Sequence, residues 1–371
     1  MIRFDQASKR YPDGTAAVID LDLEAPSGKI TVLVGPSGCG KTTSLRMINR
    51  MTEPTSGTIW LDDTDTAGLP AHELRRKMGY VIQHAGLFPH RTIVDNVATV
   101  PLLLGESRSR ARSRAMELLE LVGLDTAMAK RYPAQLSGGQ QQRVGVARAL
   151  AADPPVMLMD EPFSAVDPVV REQLQDEFLR LQGELGKTIV LVTHDIDEAI
   201  KLGDRVAVMR VGGRLAQLAA PADLLSRPAD AFVAGFVGRD RGYRALAFTS
   251  AGTFDARPEP TVRVGDRMPT GADDWTIAVN DADEPQGWLP PVGERAGNTA
   301  AGDTVTDAVL HRGGTLVTQG GSLRAALDAC LSSPAGRGVV VDERGRLVGS
   351  ITATEVLSLI EGARSVEGAR S

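Results

Sequence analysis

The sequence is poor in the residues on which several classes of protein depend. It has only two cysteines, Cys39 and Cys330, which cannot build a disulfide framework or a zinc site by themselves. No apolar run reaches the length of about 18 residues that a membrane-spanning helix needs, and the first residues lack the apolar core of a secretion signal. We therefore expect free thiols, a soluble cytoplasmic chain, and any membrane role to come through a partner.

The sequence also lacks the excess of positive charge that a nucleic-acid-binding surface needs. The 41 basic and 47 acidic residues give a formal net charge of −6, and lysine is absent after Lys201. Residues 1–250 carry 30 side chains of each sign, whereas residues 251–371 carry 11 basic and 17 acidic ones. This balance argues against a broad nucleic-acid surface. The shift in charge, with a length of 371 residues, predicts a second module after the first.

The pattern of about the first 235 residues predicts an α/β domain. Short apolar runs predict strands at Ile2–Phe4, Val18–Leu23, Ile30–Val34, Met78–Ile82, Val156–Met159 and Thr188–Val192. Helical spacing predicts a helix from near Lys41 and another over 168–185. Alternating strands and helices imply a largely parallel sheet. The mostly helical stretch at about 92–152 predicts an inserted subdomain, whose Arg/Ser-rich residues 106–114 form either a solvated face or a contact with lipid headgroups.

The remaining sequence has a different texture. Residues 251–304 are rich in Gly, Pro, Asp and Thr, whereas 315–361 predict the order strand, helix, strand, strand, helix. Their predicted elements are Leu316–Val317, Ser322–Leu331, Val339–Val341, Leu347–Ile351 and Thr354–Ile360. The segments 276–289 and 338–351 share an apolar start, an acidic turn and a late glycine. They are either an internal repeat or two unrelated hairpins.

A phosphate-binding loop is predicted between the third strand and the first helix. Residues 35–42, GPSGCGKT, fit the pattern G-x-x-x-x-G-K-[ST] in its required strand–turn–helix context. Glycines let backbone N–H groups surround phosphates, and the helix N-terminus adds a positive dipole end. Lys41 is placed to reach the β- and γ-phosphates and Thr42 to bind Mg²⁺. The alternative is a glycine-rich turn that happens to precede a lysine.

Two carboxylates follow the buried strand Val156–Met159. The end of such a strand is where α/β sheets place their ligands. We expect Asp160 to hold Mg²⁺, through water, and Glu161 to polarise an attacking water molecule. The alternative is an acidic surface pair or helix cap.

These motifs occur in one order with four further signals. Leu136-Ser137-Gly138-Gly139-Gln140, Gln83, Asp167 and His194 complete a set that resembles the ATP-binding subunits of ABC (ATP-binding cassette) transporters over about residues 1–235. The resemblance implies a P-loop NTPase fold with a RecA-like core and a helical subdomain, ATP and Mg²⁺ as cofactors, and hydrolysis in a head-to-tail homodimer. We assign 1–237 to this domain and 92–152 to its helical subdomain.

The resemblance also implies a role for each site residue. Lys41, Gln83, Glu161 and His194 are the expected catalytic residues, and Thr42, Gln83 and Asp160 the expected metal site. The expected nucleotide contacts are Tyr11, Gly35, Pro36, Ser37, Gly38, Cys39, Gly40, Lys41, Thr42, Thr43, Ser137, Gly139, Gln140 and Asp167. Tyr11 would stack on adenine, and Ser137, Gly139 and Gln140 would bind the γ-phosphate held by the partner chain. Taken alone, Tyr11 is also compatible with a surface turn and His194 with a structural role.

The segment 238–246 resembles the corresponding part of the ATPases of glycine betaine, choline and carnitine importers. We assign 238–260 to a linker, 261–361 to a degenerate CBS-like (cystathionine-β-synthase-type) region with its better-formed half at 315–361, and 362–371 to a tail. Thr352 and Glu355 lie at the turn where such domains contact a ribose, with Glu355 in place of the usual Asp. The first half, near 262–289, lacks its leading helix. The region is either a nucleotide-binding, a dimerising or an ionic-strength-sensing module.

The predicted function is ATP-driven import of osmoprotectant quaternary amines. The expected partners are a second copy of the chain, a separate membrane permease and, indirectly, an extracytoplasmic substrate-binding protein, with the chain at the cytoplasmic face of the membrane and no nucleic acid bound. The alternatives are an amino-acid or polyamine importer, a soluble ABC protein acting on DNA or ribosomes, and a non-catalytic regulatory module. A single cassette without sustained heptads disfavours the second, and the joint presence of Lys41, Glu161 and His194 disfavours the third.

Overall fold

The computed structural model describes residues 1–83, 86–164, 166–295 and 303–368. The chain divides into two compact units, Met1–Gly238 and Arg239–Ser371. In the described ranges no helix is long and apolar enough to cross a membrane.

The first unit combines two sheets with ten helices in its described residues. Its strands are β1 (Ile2–Arg10), β2 (Ala16–Ala25), β3 (Ile30–Val34), β4 (Ser56–Leu61), β5 (Thr64–Asp65), β6 (Met78–Val81), β7 (Val156–Asp160), β8 (Thr188–Thr193), β9 (Arg205–Arg210) and β10 (Arg214–Ala219). Its helices are α1 (Lys41–Ile48), α2 (Ala71–Arg76), α3 (Ile93–Val97), α4 (Thr99–Leu103), α5 (Arg108–Leu121), α6 (Gly138–Leu150), α7 (Pro168–Leu185), α8 (Ile196–Leu202), α9 (Pro221–Ser226) and α10 (Ala231–Val237). Short 3₁₀ turns lie at Thr66–Gly68, Thr126–Lys130 and Pro133–Gln135.

The larger sheet sets the geometry of the site. Its order is β10-β9-β3-β8-β7-β6, and β9, β3, β8, β7 and β6 are parallel. Every residue of β3, β7 and β8 is buried, as expected of apolar strands that are covered on both faces. The loops that follow β3, β6, β7 and β8 therefore meet at one edge. This edge carries the phosphate loop, Gln83, Glu161 and His194.

The core of the first unit joins the parallel sheet to a second, antiparallel sheet of order β2-β1-β4-β5. Buried residues of both sheets form one cluster with α1, for example Phe4, Leu21, Leu45 and Leu158. Strands β4, β5, β9 and β10 were not predicted from the sequence. Strands β1 and β2 extend further than predicted, because antiparallel pairing with bulges continues them through polar residues.

The helices within 92–152 pack mainly on one another. Helices α3, α5 and α6 form pairwise contacts, and α6 also contacts β6. On the face of α5 that was predicted to be exposed, Arg108 and Arg110 are exposed. Arg112 instead forms a bidentate ion pair with the Asp95 carboxylate.

The described residues of the second unit form two small sheets of the same topology. Its strands are β11 (Thr261–Arg263), β12 (Thr276–Val279), β13 (Pro285–Leu289), β14 (Leu316–Thr318), β15 (Arg337–Val341) and β16 (Leu347–Thr352). Its helices are α11 (Arg241–Ala245), α12 (Leu323–Ser332) and α13 (Ala353–Gly368), with 3₁₀ turns at Leu246–Phe248, Val292–Glu294 and Asp307–Val309. In each sheet the first strand is parallel and the third antiparallel to the middle one.

The two sheets are related as an internal repeat. Ala278 pairs with Gly287 and Val340 with Gly349, and each hairpin has its register shift one residue later. The N-terminal segment of each half also bridges to the hairpin of the other half, Arg257 to Ser350 and His311 to Trp288. The segments 276–289 and 338–351 therefore form equivalent hairpins, and the repeat is confirmed.

Two expected boundaries differ from the structure. Residues 238–260 were predicted to be a linker, but α11 and the following turn contact α12, and Phe254 is 3% exposed in the core of the second unit. The sparse apolar residues of this segment gave no periodic signal of packing. Helix α13 continues to Gly368 instead of ending at Ile360, so most of the expected tail is helical, while 369–371 lie outside the described residues. Residues 264–275, all of them described, form no helix between β11 and β12, as predicted.

Candidate functional site

The loop at 35–40 has a backbone that only glycine can form at two positions. Gly35 has φ +156°, and a Cβ there would lie 2.2 Å from the Met209 carbonyl oxygen. Gly40 has φ +92°, and its Cβ would lie 2.1 Å from the Ala17 carbonyl oxygen. The left-handed Gly40 turns the chain directly into α1. The loop therefore wraps closely in front of the helix N-terminus, an arrangement that binds phosphate groups.

The Lys41 ammonium lies inside this loop. It donates to the carbonyl oxygens of Gly35 (2.7 Å) and Pro36 (3.1 Å), and the residue is only 7% exposed. The Cys39 thiol lies beside it, and burial raises the pKa of this thiol. A cation enclosed by backbone carbonyls at a helix N-terminus gives the loop a concentrated positive charge.

Thr42 and Asp160 meet between α1 and the end of β7. The Thr42 hydroxyl donates to Asp160 Oδ1 at 3.0 Å, and Asp160 is 5% exposed. Burial raises the pKa of the Asp160 carboxyl, and the neighbouring Glu161 charge adds to that effect, whereas the Thr42 hydrogen bond and the charges of Arg46 and Lys41 oppose it. A bound cation would favour the ionised carboxylate.

The Glu161 carboxylate is held between two side chains from neighbouring strand ends. Gln83 Nε2 donates to Glu161 Oε2 at 3.0 Å, and His194 Nδ1 lies 3.2 Å from Glu161 Oε1. The backbone of Glu161 has φ +47°, and its N–H donates to the Val192 carbonyl at 2.9 Å. A left-handed backbone at a non-glycine residue is a strained feature that clusters at functional sites. The structure thus brings Gln83, Glu161 and His194 together.

Tyr11 lies beside the helix that follows the loop. The residue is 38% exposed, its hydroxyl lies 3.5 Å from Thr43 Oγ1, and the Lys9 ammonium lies 5.5 Å from the ring centre. An exposed aromatic face next to the loop can receive a flat heterocyclic base.

The remaining predicted contacts lie at two helix N-termini. Ser137 and Gln140 form a capping box at the start of α6, and Asp167 caps α7 by accepting from Val169 N–H at 3.1 Å. Gly139 is buried, and a Cβ there would meet Val166 and Val170 at 3.6 and 3.4 Å. Among the described residues, no hydrogen bond or ion pair joins Ser137, Gly139 or Gln140 to Lys41, Asp160 or Glu161.

The donor set fits a nucleotide with a hard divalent cation. Thr42 and Asp160 offer the oxygen ligands that Mg²⁺ prefers. Within the described ranges no cluster of three or more His, Cys, Asp or Glu side chains could hold a metal. Phosphate and water oxygens would have to complete the coordination, as is usual for Mg²⁺ at such sites. Fold and site together define a nucleotide-hydrolysing P-loop cassette.

The comparisons with known proteins identify the family. The ABC transporter family model matches residues 18–164. The chain is 43% identical to the osmoprotectant import ATP-binding protein OsmV of Salmonella typhimurium, over 98% of this chain and 97% of that protein. It is 40% identical to the choline transport ATP-binding protein OpuBA of Bacillus subtilis, over 97% and 96%. A solved dimeric ATP-binding cassette in a post-hydrolysis state with ADP and phosphate is 35% identical, with a TM-score of 0.55, covering 60% of this chain and 99% of that one.

The chain belongs to the ATP-binding proteins of ABC transporters. It is an ABC-type ATPase that binds ATP and couples ATP hydrolysis to transport.

One charged neighbour of the site escaped the sequence analysis. Arg46 lies four residues after Thr42 on α1, and its charge acts on both Asp160 and the Tyr80 hydroxyl. Its helical spacing from Thr42 was the available signal. Two positions next to predicted site residues, His84 beside Gln83 and Ala165 in the loop that carries Asp167, lie outside the described residues. His90 lies against the Phe88 ring.

Proposed function

We propose that the edge of the parallel sheet hydrolyses ATP with the residues predicted for it. The loop amides and Lys41 bind the phosphates, and Tyr11 receives the adenine. Thr42, Asp160 and Gln83 would hold Mg²⁺, which would supply positive charge to neutralise the phosphates. Glu161 accepts the proton of the attacking water, while Gln83 and His194 orient it. The 3.0 and 3.2 Å contacts on the two Glu161 oxygens support this assignment.

We propose that each site is completed by a second copy of the chain. The N-terminus of α6, with Ser137, Gly139 and Gln140, would contact the γ-phosphate held by the partner, and Asp167 would line the interface. Two observations support this proposal. Among the described residues of the single chain, no hydrogen bond or ion pair joins the α6 N-terminus to the phosphate loop, and the similar solved cassette is dimeric.

The transported solute is proposed to be an osmoprotectant quaternary amine such as glycine betaine, choline, carnitine or proline betaine. The observation that carries this assignment is similarity along the whole chain, including the second unit, to proteins named for osmoprotectant import and choline transport. The chain would act at the cytoplasmic face of the membrane, with a separate permease and an extracytoplasmic substrate-binding protein. The alternative is import of an amino acid or a polyamine.

We also propose a division of the chain into two functional regions. Residues 1–237 would form the ATP-binding domain, and 261–361 the CBS-like region. Support comes from the paired hairpins and from the contact of Thr352 and Glu355, in which the Thr352 hydroxyl donates to Glu355 Oε2 at 2.8 Å.

The experiment is an uptake measurement in cells that lack the gene and carry it again on a plasmid. Labelled choline and glycine betaine should accumulate with the wild-type chain and not with Glu161→Gln. Labelled histidine and spermidine serve as the comparison. Uptake of either of these at the expense of choline and glycine betaine would replace the osmoprotectant assignment with the alternative.

A further inference from the structure

A buried polar cluster lies behind His194 and takes no part in the mechanism above. It consists of Thr193 at the end of β8, Glu198 on α8, and Gln175 and Arg171 on α7, and we name it the Glu198 cluster. Thr193, Glu198 and Gln175 are 2%, 6% and 7% exposed. Burying a carboxylate is costly unless it has partners, so an apolar side chain would serve packing alone better.

On one side, the cluster is attached to the loop that carries His194. The Thr193 hydroxyl lies near the Glu198 carboxylate, where it opposes the rise in the pKa of that group, and it accepts from the Asp195 N–H at 3.0 Å. The Asp195 carboxylate in turn accepts from the N–H groups of Asp197 and Glu198, at 2.8 and 3.4 Å. The backbone on both sides of His194 is therefore held by groups that contact Glu198.

On the other side, the cluster is attached to the loop that carries Asp167. Gln175 Nε2 donates to Glu198 Oε1 at 3.2 Å, which joins α7 to α8. Arg171 Nη2 donates to the Val166 carbonyl at 3.0 Å, and Arg171 N–H donates to the Asp167 carbonyl at 2.7 Å. The positive charge of Arg171 also favours ionised Glu198, whereas the Asp195 charge disfavours it.

Arg171 has a spare donor within the cluster. Its Nε is buried and has no hydrogen-bond partner among the described residues. If the 166–167 loop moved slightly, Arg171 could lose its hydrogen bond to the Val166 carbonyl and donate to a group within the cluster instead. Such an exchange gives two arrangements of the same hydrogen-bonding groups, which is what a coupling element between two sites requires.

We propose that Glu198, Gln175 and Arg171 are positioning residues that couple the partner-facing loop at Asp167 to His194. The proposal rests on the function proposed for Asp167, His194 and the dimer. Docking of a partner against 166–167 would act through Arg171 and Gln175 on Glu198, and through Thr193 on the orientation of His194. None of the three residues belongs to the predicted nucleotide contacts. They would set how well His194 and Glu161 are aligned once the dimer has closed.

The test is a double-mutant cycle on ATP turnover by the full chain. Asp167→Asn removes a charge but keeps the oxygen that caps α7, and Glu198→Gln keeps the size of the side chain. Each should lower kcat about tenfold, and the double variant should also fall only about tenfold, because both act through one coupled element. For Glu198→Gln, KM for ATP and ATP-dependent dimerisation in a Glu161→Gln background should stay within about twofold of their reference values.

Glu172→Gln on α7 is the matched control, since this side chain is exposed, and it should leave kcat unchanged. If Glu198→Gln does not fold, Gln175→Met makes the same test by removing the link between α7 and α8. An unchanged kcat in Asp167→Asn or Glu198→Gln would overturn the inference. So would a double variant whose kcat falls about a hundredfold, because the two effects would then be independent. A Glu198→Gln variant that changes only KM would overturn it as well. A wild-type chain without turnover or dimers would instead refute the proposed function.

Discussion

The replacement Gly40→Ala tests how tightly the phosphate loop is constrained. The alanine would have to adopt φ +92°, which costs about 1 kcal/mol, and its Cβ would lie 2.1 Å from the Ala17 carbonyl oxygen. That oxygen must retreat by about 1 Å to reach an ordinary contact, and overpacking of this kind costs about 1–3 kcal/mol. We therefore expect a total loss of about 3 kcal/mol in the free energy of unfolding, with loss of ATP binding.

Gly38→Ala provides the control within the same loop. Gly38 has φ +77°, but a Cβ there has no neighbour within 4 Å, so only the backbone cost of about 1 kcal/mol applies. Urea unfolding followed by circular dichroism measures both variants. With an m-value of about 2 kcal/mol per M, their midpoints should differ by about 1 M. Equal midpoints would show that the close approach to Ala17 does not constrain the loop.

Three further predictions concern separate parts of the chain. Tyr11→Ala should weaken ATP binding about tenfold by removing a stacking surface, whereas Tyr11→Phe should leave ATP binding unchanged. Nucleotide titration measures both affinities, and equal losses in the two variants would refute stacking. Glu259→Ala should destabilise the second unit by about 2 kcal/mol in tryptophan-monitored melting, because it removes the carboxylate 3.0 Å from Arg337 Nε and leaves Asp274 as the ionic partner of Arg337, whereas exposed Asp281→Ala should not; matching melts would contradict this. Burial raises the pKa of the Glu198 carboxyl in the folded protein. The contribution of this group to folding stability is therefore fully present below about pH 4.5, and it is lost as the pH rises through the raised pKa. Wild type should therefore lose stability relative to Glu198→Gln between pH 4.5 and neutrality in unfolding titrations, and a constant difference would refute this.

The sequence predicted those parts of the site whose signal is local. Strand β3, the glycines after it and Lys41 are contiguous, so the strand, the turn and the helix start were each readable. The buried run Val156–Met159 predicted where Asp160 and Glu161 would lie. Contacts across the sheet, such as Thr42 with Asp160, depend on strand order, and only the family resemblance placed those residues together.

The missed elements lacked such local signals. Strand β4 begins with the exposed Ser56 and Gly57, and pairing with β1 supplies what its sequence does not. In the second unit, Phe254 is buried by contacts with residues far along the chain, so a segment without periodicity resembled a linker. The role proposed for Glu198 was also invisible, because a glutamate on a short helix looks like any exposed acidic residue until its burial is known.

The central claim is that two chains enclose ATP between Lys41 of one copy and Ser137 of the other. Light scattering behind size-exclusion chromatography of Glu161→Gln tests it most directly, with Mg²⁺-ATP, with ADP, and without nucleotide. A dimer with Mg²⁺-ATP alone, lost when Lys41→Ala is added, is the predicted result. A monomer under all three conditions would contradict the account.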